Sequence, residues 1–253
     1  MDVSTFVSEV ICSVDKNQLT RERTLLMTVT DNEINTLVKY CEAHLGDPQL
    51  WWTPDGYPDS LALCIIDSIY STGSHYSSVV KVVERYISAC SESAGARAPA
   101  QSIQKSGGAR QWASSIAHSL KPAHTRSGAP LKAEIINQAA DLMIKFKIDT
   151  VPDLVAQIAG QPTENDVHRE WERLPSQSSG VTYNYLLILA GFPSVKPDRM
   201  IFRFLATALG EEAELDADRA VALMTRTAQV MKVDPRALDH IAWRAASGRE
   251  LVD

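Results

Sequence analysis

Apolar residues recur at three- and four-residue steps along most of this chain. In 77–90 the series is Val79, Val80, Val83, Tyr86, Ile87 and Cys90, and in 134–147 it is Ile135, Ile136, Ala139, Leu142, Met143 and Phe146. Met200, Ile201, Phe204, Leu205, Ala208 and Leu209 repeat the spacing, as do Val221, Met224, Ala228 and Met231. Residues so spaced fall on one face of a helix, whereas a half-buried strand alternates apolar and polar positions. No convincing alternating run occurs, so the pattern predicts an all-α fold.

Helix starts can be read at several points. "VDPRALDHIAW" places Asp234 before Pro235, a cap followed by a proline at the first helical position, and "TVPDLVAQIAG" repeats the logic from Thr150 to Gly160. In "GFPSVKPDRMIFRFLATALG" Asp198 stands at the mouth of an apolar helix. A carboxylate there accepts hydrogen bonds from unpaired backbone N–H groups and meets the positive helix end, so a cap alone explains it.

The charge balance changes the picture in one place. The chain carries 25 Lys+Arg against 31 Asp+Glu, a sum that argues against a nucleic-acid partner. Yet the Gly/Ser/Pro-rich window 94–133 holds Arg97, Lys105, Arg110, Lys121, Arg126 and Lys132 and no acid. Such concentration is the footprint of a phosphate-binding surface. It is equally the composition of a mobile surface loop.

Other features exclude function classes. Cys12, Cys41, Cys64 and Cys90 are widely spaced and form no C-x-x-C pair, so they read as reduced core residues and not as a disulfide, zinc or iron–sulfur framework. The opening "MDVSTFVSEVICSVDKN" lacks the basic-then-apolar order of a secretory signal, and "YLLILAGF" is far too short to span a bilayer. A cytoplasmic protein without membrane contact is expected.

Three segments in order, "TRSGAPLKAEIINQAADLM", "LPSQSSGVTYNYLLILAGF" and "PSVKPDRMIFRFLATALG", resemble the core of the helix-hairpin-helix DNA glycosylase superfamily, the endonuclease III-like fold. Gly128 with Lys132-Ala133 matches its helix start, Leu174-Pro175 opens the hairpin, and Asp198 falls at the spacing of the catalytic aspartate. "DSLALCIIDSIYSTGSHYSSVVKVVERY" resembles the helix, loop and helix that carry the base-flipping residues, so the resemblance covers roughly 59–210. The hairpin departs from the family in reading Ser176-Gln177-Ser178-Ser179-Gly180 where glycines are preferred. Gly180 occupies the place of the Schiff-base lysine of bifunctional members.

The resemblance implies a two-lobed helix-hairpin-helix fold with a DNA cleft between the lobes. One lobe would be a helical barrel over 59–194 that contains the hairpin, and the other would join 1–58 to 195–253. It implies a monomer acting on double-stranded DNA as a monofunctional glycosylase without lyase activity. It implies no iron–sulfur cluster and no metal at the active site, with a structural monovalent cation at the hairpin as the one cofactor allowed. Asp198 would be the catalytic carboxylate, stabilising the oxocarbenium character of the sugar and orienting water. Ser178, Ser179 and Gly180 would anchor a phosphate, with Arg126, Lys132, Lys196 and Arg199 as further DNA contacts. Thr72 and His75 would wedge the gap left by the flipped base, and Trp51, Trp52, Tyr57, Tyr185 and Trp243 would line its pocket.

A hypermodified cytosine of phage DNA, such as a glucosylated hydroxymethylcytosine, is the expected base, since the motifs of the housekeeping branches are absent. Two other readings stay open on the residues alone. One is a non-catalytic helix-hairpin-helix DNA-binding module or subunit of a larger assembly. The other is an all-α interaction protein whose basic stretch meets an acidic partner.

Overall fold

The computed structural model describes residues 29–90, 94–158, 160–210 and 215–251. The all-α expectation is met. In chain order the helices are α1 (Asp31–His44), α2 (Leu61–Ser71), α3 (Tyr76–Ala89), α4 (Arg97–Lys105), α5 (Ala109–Ser115) and α6 (Lys132–Lys145). Then follow α7 (Val151–Ile158), α8 (Asp166–Glu172), α9 (Val181–Leu189), α10 (Arg199–Leu209), α11 (Ala217–Met231) and α12 (Pro235–Ala246). A 3-10 turn spans Pro48–Leu50. The one extended pairing among the described residues is a bridge between Pro122 and Leu131.

The helix ends follow the local chemistry of the sequence. Asp234 caps α12 by accepting from the Arg236 N–H, with Pro235 next to it. Thr150 and Asp153 exchange hydrogen bonds at the start of α7, each side chain accepting from the other's backbone N–H. Thr30 and Glu33 form a capping box on α1. Asp198 caps α10, its Oδ1 accepting from Met200 N–H at 2.8 Å and Ile201 N–H at 3.3 Å.

The buried apolar residues form two clusters. The first runs from Leu61 to Ala190 and collects the inner faces of α2 to α9, including Trp112, Trp171, Tyr86 and Tyr183. The second combines Val29, α1 and Leu45 with Val195, α10, α11 and α12. The chain crosses from one to the other before α2 and again between α9 and α10. Cys41 and Cys64 are buried in these clusters and Cys90 packs beside the first; all three are free thiols. Burial pushes the Cys41 thiol up to about 12, which keeps it protonated. Cys12 lies outside the described residues.

The basic window is folded and not a loose loop. It supplies α4, α5 and the bridge, and several of its cations are already engaged. Arg97 donates its backbone N–H to Asp149 Oδ1 at 3.1 Å and pairs with the same carboxylate through its side chain. Lys121 donates to Gly73 O and to Ser74 Oγ. Lys132, expected on a DNA-facing surface, is only 2% exposed. Its ammonium reaches Ile69 O at 2.5 Å, Tyr70 O at 3.2 Å, and Thr72 O and Oγ1 at 2.8 Å each. These oxygens close the C-terminal end of α2, where helix carbonyls lack intrahelical partners and a cation is favoured. Burial, with Lys121 and Lys196 as like charges, brings the Lys132 pKa down to about 7.

Removing this amine strands several buried acceptors at once. Lys132→Met is expected to lower the unfolding free energy by about 2–4 kcal/mol in urea titrations. A loss under about 1 kcal/mol would mean that the α2 carbonyls find other partners.

Candidate functional site

A polar seam lies where the two apolar clusters meet. It is built by α2, α9, the connection into α10, and α12. Four features of the backbone put its side chains there.

The first is a close approach. Gly56 has φ +65°, and a Cβ at this position would stand 2.4 Å from Leu189 O. Only glycine lets the 51–58 segment lie this tightly on the end of α9. The neighbouring Tyr57 N–H then donates to Leu189 O at 2.6 Å, and the Tyr57 hydroxyl is delivered to Asp67 Oδ2 at 3.0 Å.

The second feature is the turn between α8 and α9, which has serines and a glutamine where the resembled family favours glycine. A buried chain of hydrogen bonds holds it. Trp171 Nε1 donates to Thr182 Oγ1 at 3.0 Å, Thr182 donates to Gln177 Oε1 at 2.5 Å, and Gln177 Nε2 donates to Pro175 O at 3.0 Å. Gly180 takes the left-handed conformation, φ +69°, at the start of α9, and that helix has no side-chain cap. Ser178 and Ser179 are exposed beside this uncapped end.

The third feature links that turn to the α10 entry. Asn184 Nδ2 donates to Gly180 O at 3.1 Å while its Oδ1 accepts from Ser194 Oγ at 2.9 Å. The fourth is α12: Asp239 Oδ1 accepts the Lys196 backbone N–H at 2.8 Å, fixing the strand of chain that ends at Asp198.

Three carboxyl groups and one ammonium result. The Lys196 amine sits 3.6 Å from the centre of the Tyr185 ring and 3.4 Å from Ser71 Oγ. Burial pulls its pKa below the ordinary lysine value, against the opposing pull of Asp198, Asp239 and Asp67. Burial also raises Asp239 to about 7, with Asp198 adding to the rise and Lys196 opposing it. Asp67 is wholly buried, and burial raises its pKa against the lowering effects of Tyr57, Lys196 and Tyr185. Its Oδ1 has no partner within hydrogen-bonding geometry.

The sequence-expected residues divide accordingly. Asp198, Lys196, Tyr57 and Tyr185 come together in the seam, but Lys196 turns inward over Tyr185 instead of outward to a phosphate. Arg199 and Arg126 are exposed, as are Ser178 and Ser179. The loop between α2 and α3 presents His75 to solvent, while Thr72 is tied down by Lys132.

Trp51 and Trp243 lie outside the seam and pack on the second apolar cluster. Trp51 Nε1 donates to Leu45 O, and Arg249 stacks on Trp243. Trp52 is 43% exposed and packs against His240, the ring centres 4.4 Å apart and the planes tilted by 55°. Asp67 is the residue that sequence reasoning missed. Its signal was a lone acid inside the apolar helix "LALCIIDSIYS".

Among the described residues no group of three or more His, Cys, Asp or Glu is placed to hold a metal ion. No described helix is long and apolar enough to cross a membrane. A surface hollow of about 370 Å³ between α4 and α6, lined by Arg97, Gln101 and Asp141 among others, shares no residue with the seam. It lacks the buried, mutually perturbed ionisable groups that mark a chemically competent site.

A family model described as a domain of unknown function (DUF8548) matches residues 35–247, and the chain belongs to that family. No curated protein and no solved structure matches it.

Asp67 makes a stability test of the seam. Because its folded-state pKa is raised, the native state holds its proton more tightly than the unfolded chain, so stability falls as pH rises above the ordinary carboxylate range. Asp67→Asn removes that charge and is expected to match the wild-type melting temperature near pH 4 and exceed it at pH 8. Each kcal/mol is worth about 2–4 °C in a chain of this size. A difference that does not grow with pH between these limits would show that the Asp67 proton is not linked to folding.

Proposed function

We propose that this chain is a monofunctional DNA glycosylase, which flips a modified base out of double-stranded DNA and hydrolyses its N-glycosidic bond to leave an abasic site. The observation that carries this reading is the position of Asp198. Its carboxyl stands at the N-terminus of α10 and at the edge of a seam lined by Tyr57, Asp67, Tyr185 and Lys196. Both cap hydrogen bonds go to Oδ1, so Oδ2 is not engaged by the helix end.

The chemistry needs such a group. Departure of the base leaves a sugar with oxocarbenium character, which a fixed carboxylate stabilises while it orients or deprotonates water. Capping fixes the carboxylate in advance, so no reorganisation is needed as charge develops. Tyr185 and Tyr57 offer aromatic surface to an extruded base, and Lys196 supplies a cation beside it.

DNA would be held from two sides. The uncapped start of α9, with Ser178 and Ser179 exposed, suits a backbone phosphate. Arg126 and Arg199 are exposed cations for neighbouring phosphates. The loop carrying His75, exposed after the helix that bears Asp67, would fill the stack when a base leaves it. The chain acts as a monomer on this reading, and the base is a hypermodified cytosine of the kind phages use to protect their genomes.

A second reading has one observation in its favour. The α8–α9 turn is held by Gln177 and Thr182 and lacks the glycine pattern of the resembled enzymes. A non-catalytic DNA-binding module that kept the hairpin would tolerate this change.

Duplexes carrying oxidised, alkylated, deaminated and hypermodified bases separate the two readings when incubated with wild type and Asp198→Asn and then treated with alkali. Asparagine caps a helix as well as aspartate does, so the variant keeps its fold. Alkali-dependent strand breaks are expected with the wild type and should fall by about 10²–10³ in the variant. Salt-dependent binding with every duplex left intact would overturn the enzyme reading in favour of the binding module. Breaks without alkali would contradict a monofunctional mechanism.

A further inference from the structure

We propose that Asp67 is the base-reading group of the seam, its Oδ1 accepting a hydrogen bond from the exocyclic amino group of the flipped base. The substrate is then an amino-bearing base of the cytosine or adenine kind, and its keto counterpart is rejected. This inference rests on the glycosylase reading above and adds to it the residue and the base edge that select the substrate.

The first support is the unmet valence of the carboxyl. Asp67 is 0% exposed on a largely apolar helix, Tyr57 donates to Oδ2, and Oδ1 is buried with no partner in hydrogen-bonding geometry, while the Tyr185 hydroxyl also bears on the carboxyl. Leaving a buried polar atom unsatisfied costs about 1–3 kcal/mol, and such atoms are rare in folded proteins. A purely structural position in "LALCIIDSIYS" would be filled more stably by an apolar residue, as at Ile65, Ile66 and Ile69 around it. The oxygen is an acceptor to which the protein brings no donor in hydrogen-bonding geometry.

The surroundings point to an aromatic ligand. Tyr57, Tyr185 and Tyr76 bear on Asp67 from three different elements, Lys196 bears on it from the α10 entry, and Cys64 lies one turn earlier on α2. Tyr76, the first residue of α3, acts on both Asp67 and Tyr185 although it is 55% exposed. Tyr76 thus stands at the surface directly after the loop that ends in His75 while bearing on the buried carboxyl.

The chemistry of the edge then sets selectivity. An acidic side chain accepts from the amino group of cytosine, and a good contact of this sort discriminates by about 1–3 kcal/mol against the wrong base. With the carboxyl ionised, the form that Tyr57 and the Lys196 charge favour against burial, a keto oxygen in the same place would oppose its lone pairs to those of Oδ1. Cytosine-type and adenine-type bases share the amino group, so matched pairs are needed to tell the two sources apart.

The test uses the full chain and duplexes that differ in that group alone: 5-hydroxymethylcytosine against 5-hydroxymethyluracil, the glucosylated forms of both, and adenine against hypoxanthine. Base release is followed by mass spectrometry under single-turnover conditions for wild type, Asp67→Asn and Asp198→Asn. The wild type is expected to release one amino-bearing base about 10-fold or more faster than its keto partner. In Asp67→Asn the amide keeps the shape and the Tyr57 contact but presents N–H in place of Oδ1, so the preference should collapse or reverse toward the keto base. Circular dichroism of the same sample shows that the variant is folded.

Equal release of both members by the wild type, or an undiminished preference in Asp67→Asn, overturns the role of Asp67 while the glycosylase reading stands. Release of no base from any duplex by the wild type overturns the glycosylase reading and takes this inference with it.

Discussion

Three carboxyl groups, Asp67, Asp198 and Asp239, share the ammonium of Lys196 at the seam between two apolar clusters. Everything else in the site is arranged around that imbalance. Charges removed from water are tolerated only when paired or hydrogen-bonded, and one cation cannot neutralise three acids. The structure spreads the problem over three solutions. Asp198 is given two amide N–H groups at a helix start. Asp239 is given one amide N–H and has its pKa raised by burial, and Asp67 is likewise raised and is given one tyrosine hydroxyl. The group left least satisfied, Asp67, is also wholly buried.

How much of this was legible in the sequence depends on how local its cause is. The helices at 134–147 and 199–210 and the caps at Thr150, Asp198 and Asp234 involve partners two to four residues away, so periodicity and cap chemistry found them. Lys132 did not yield to the same reasoning. At the head of a helix, in a window without acids, it reads as a phosphate contact; its actual partners are carbonyls at Ile69, Tyr70 and Thr72, some 60 residues earlier. Trp51 and Trp243 could be counted as aromatic but not located, because packing on the second cluster is decided by how α1, α10 and α12 meet. Asp67 was visible as an acid in an apolar helix, but its meaning required Tyr57, Tyr185 and Lys196 to arrive from three other segments.

The close approach at Gly56 shows the same dependence in the other direction. Its requirement for glycine comes from Leu189, 133 positions away, yet its effect is local, since it seats Tyr57 against Asp67. A turn glycine in "TPDGYPD" looks ordinary in the sequence. In the fold it sets the distance between the segment preceding α2 and the end of α9, and with it the hydrogen bond from Tyr57 to Asp67.

The two inward lysines explain why buried charge alone does not define a functional group here. Lys132 reaches four oxygens with three N–H donors, so nothing remains to offer a ligand, and its work is to close α2 beneath the loop that begins at Thr72. Lys196 has one long hydrogen bond, to Ser71, and the face of Tyr185. A cation over an aromatic ring is attracted to it but keeps its N–H donors. The difference in unspent hydrogen-bonding capacity, and not the difference in burial, separates the amine whose donors are all used from the one that keeps them. The same criterion separates Asp239, whose partner is the protein's own backbone, from Asp67, whose second oxygen has none.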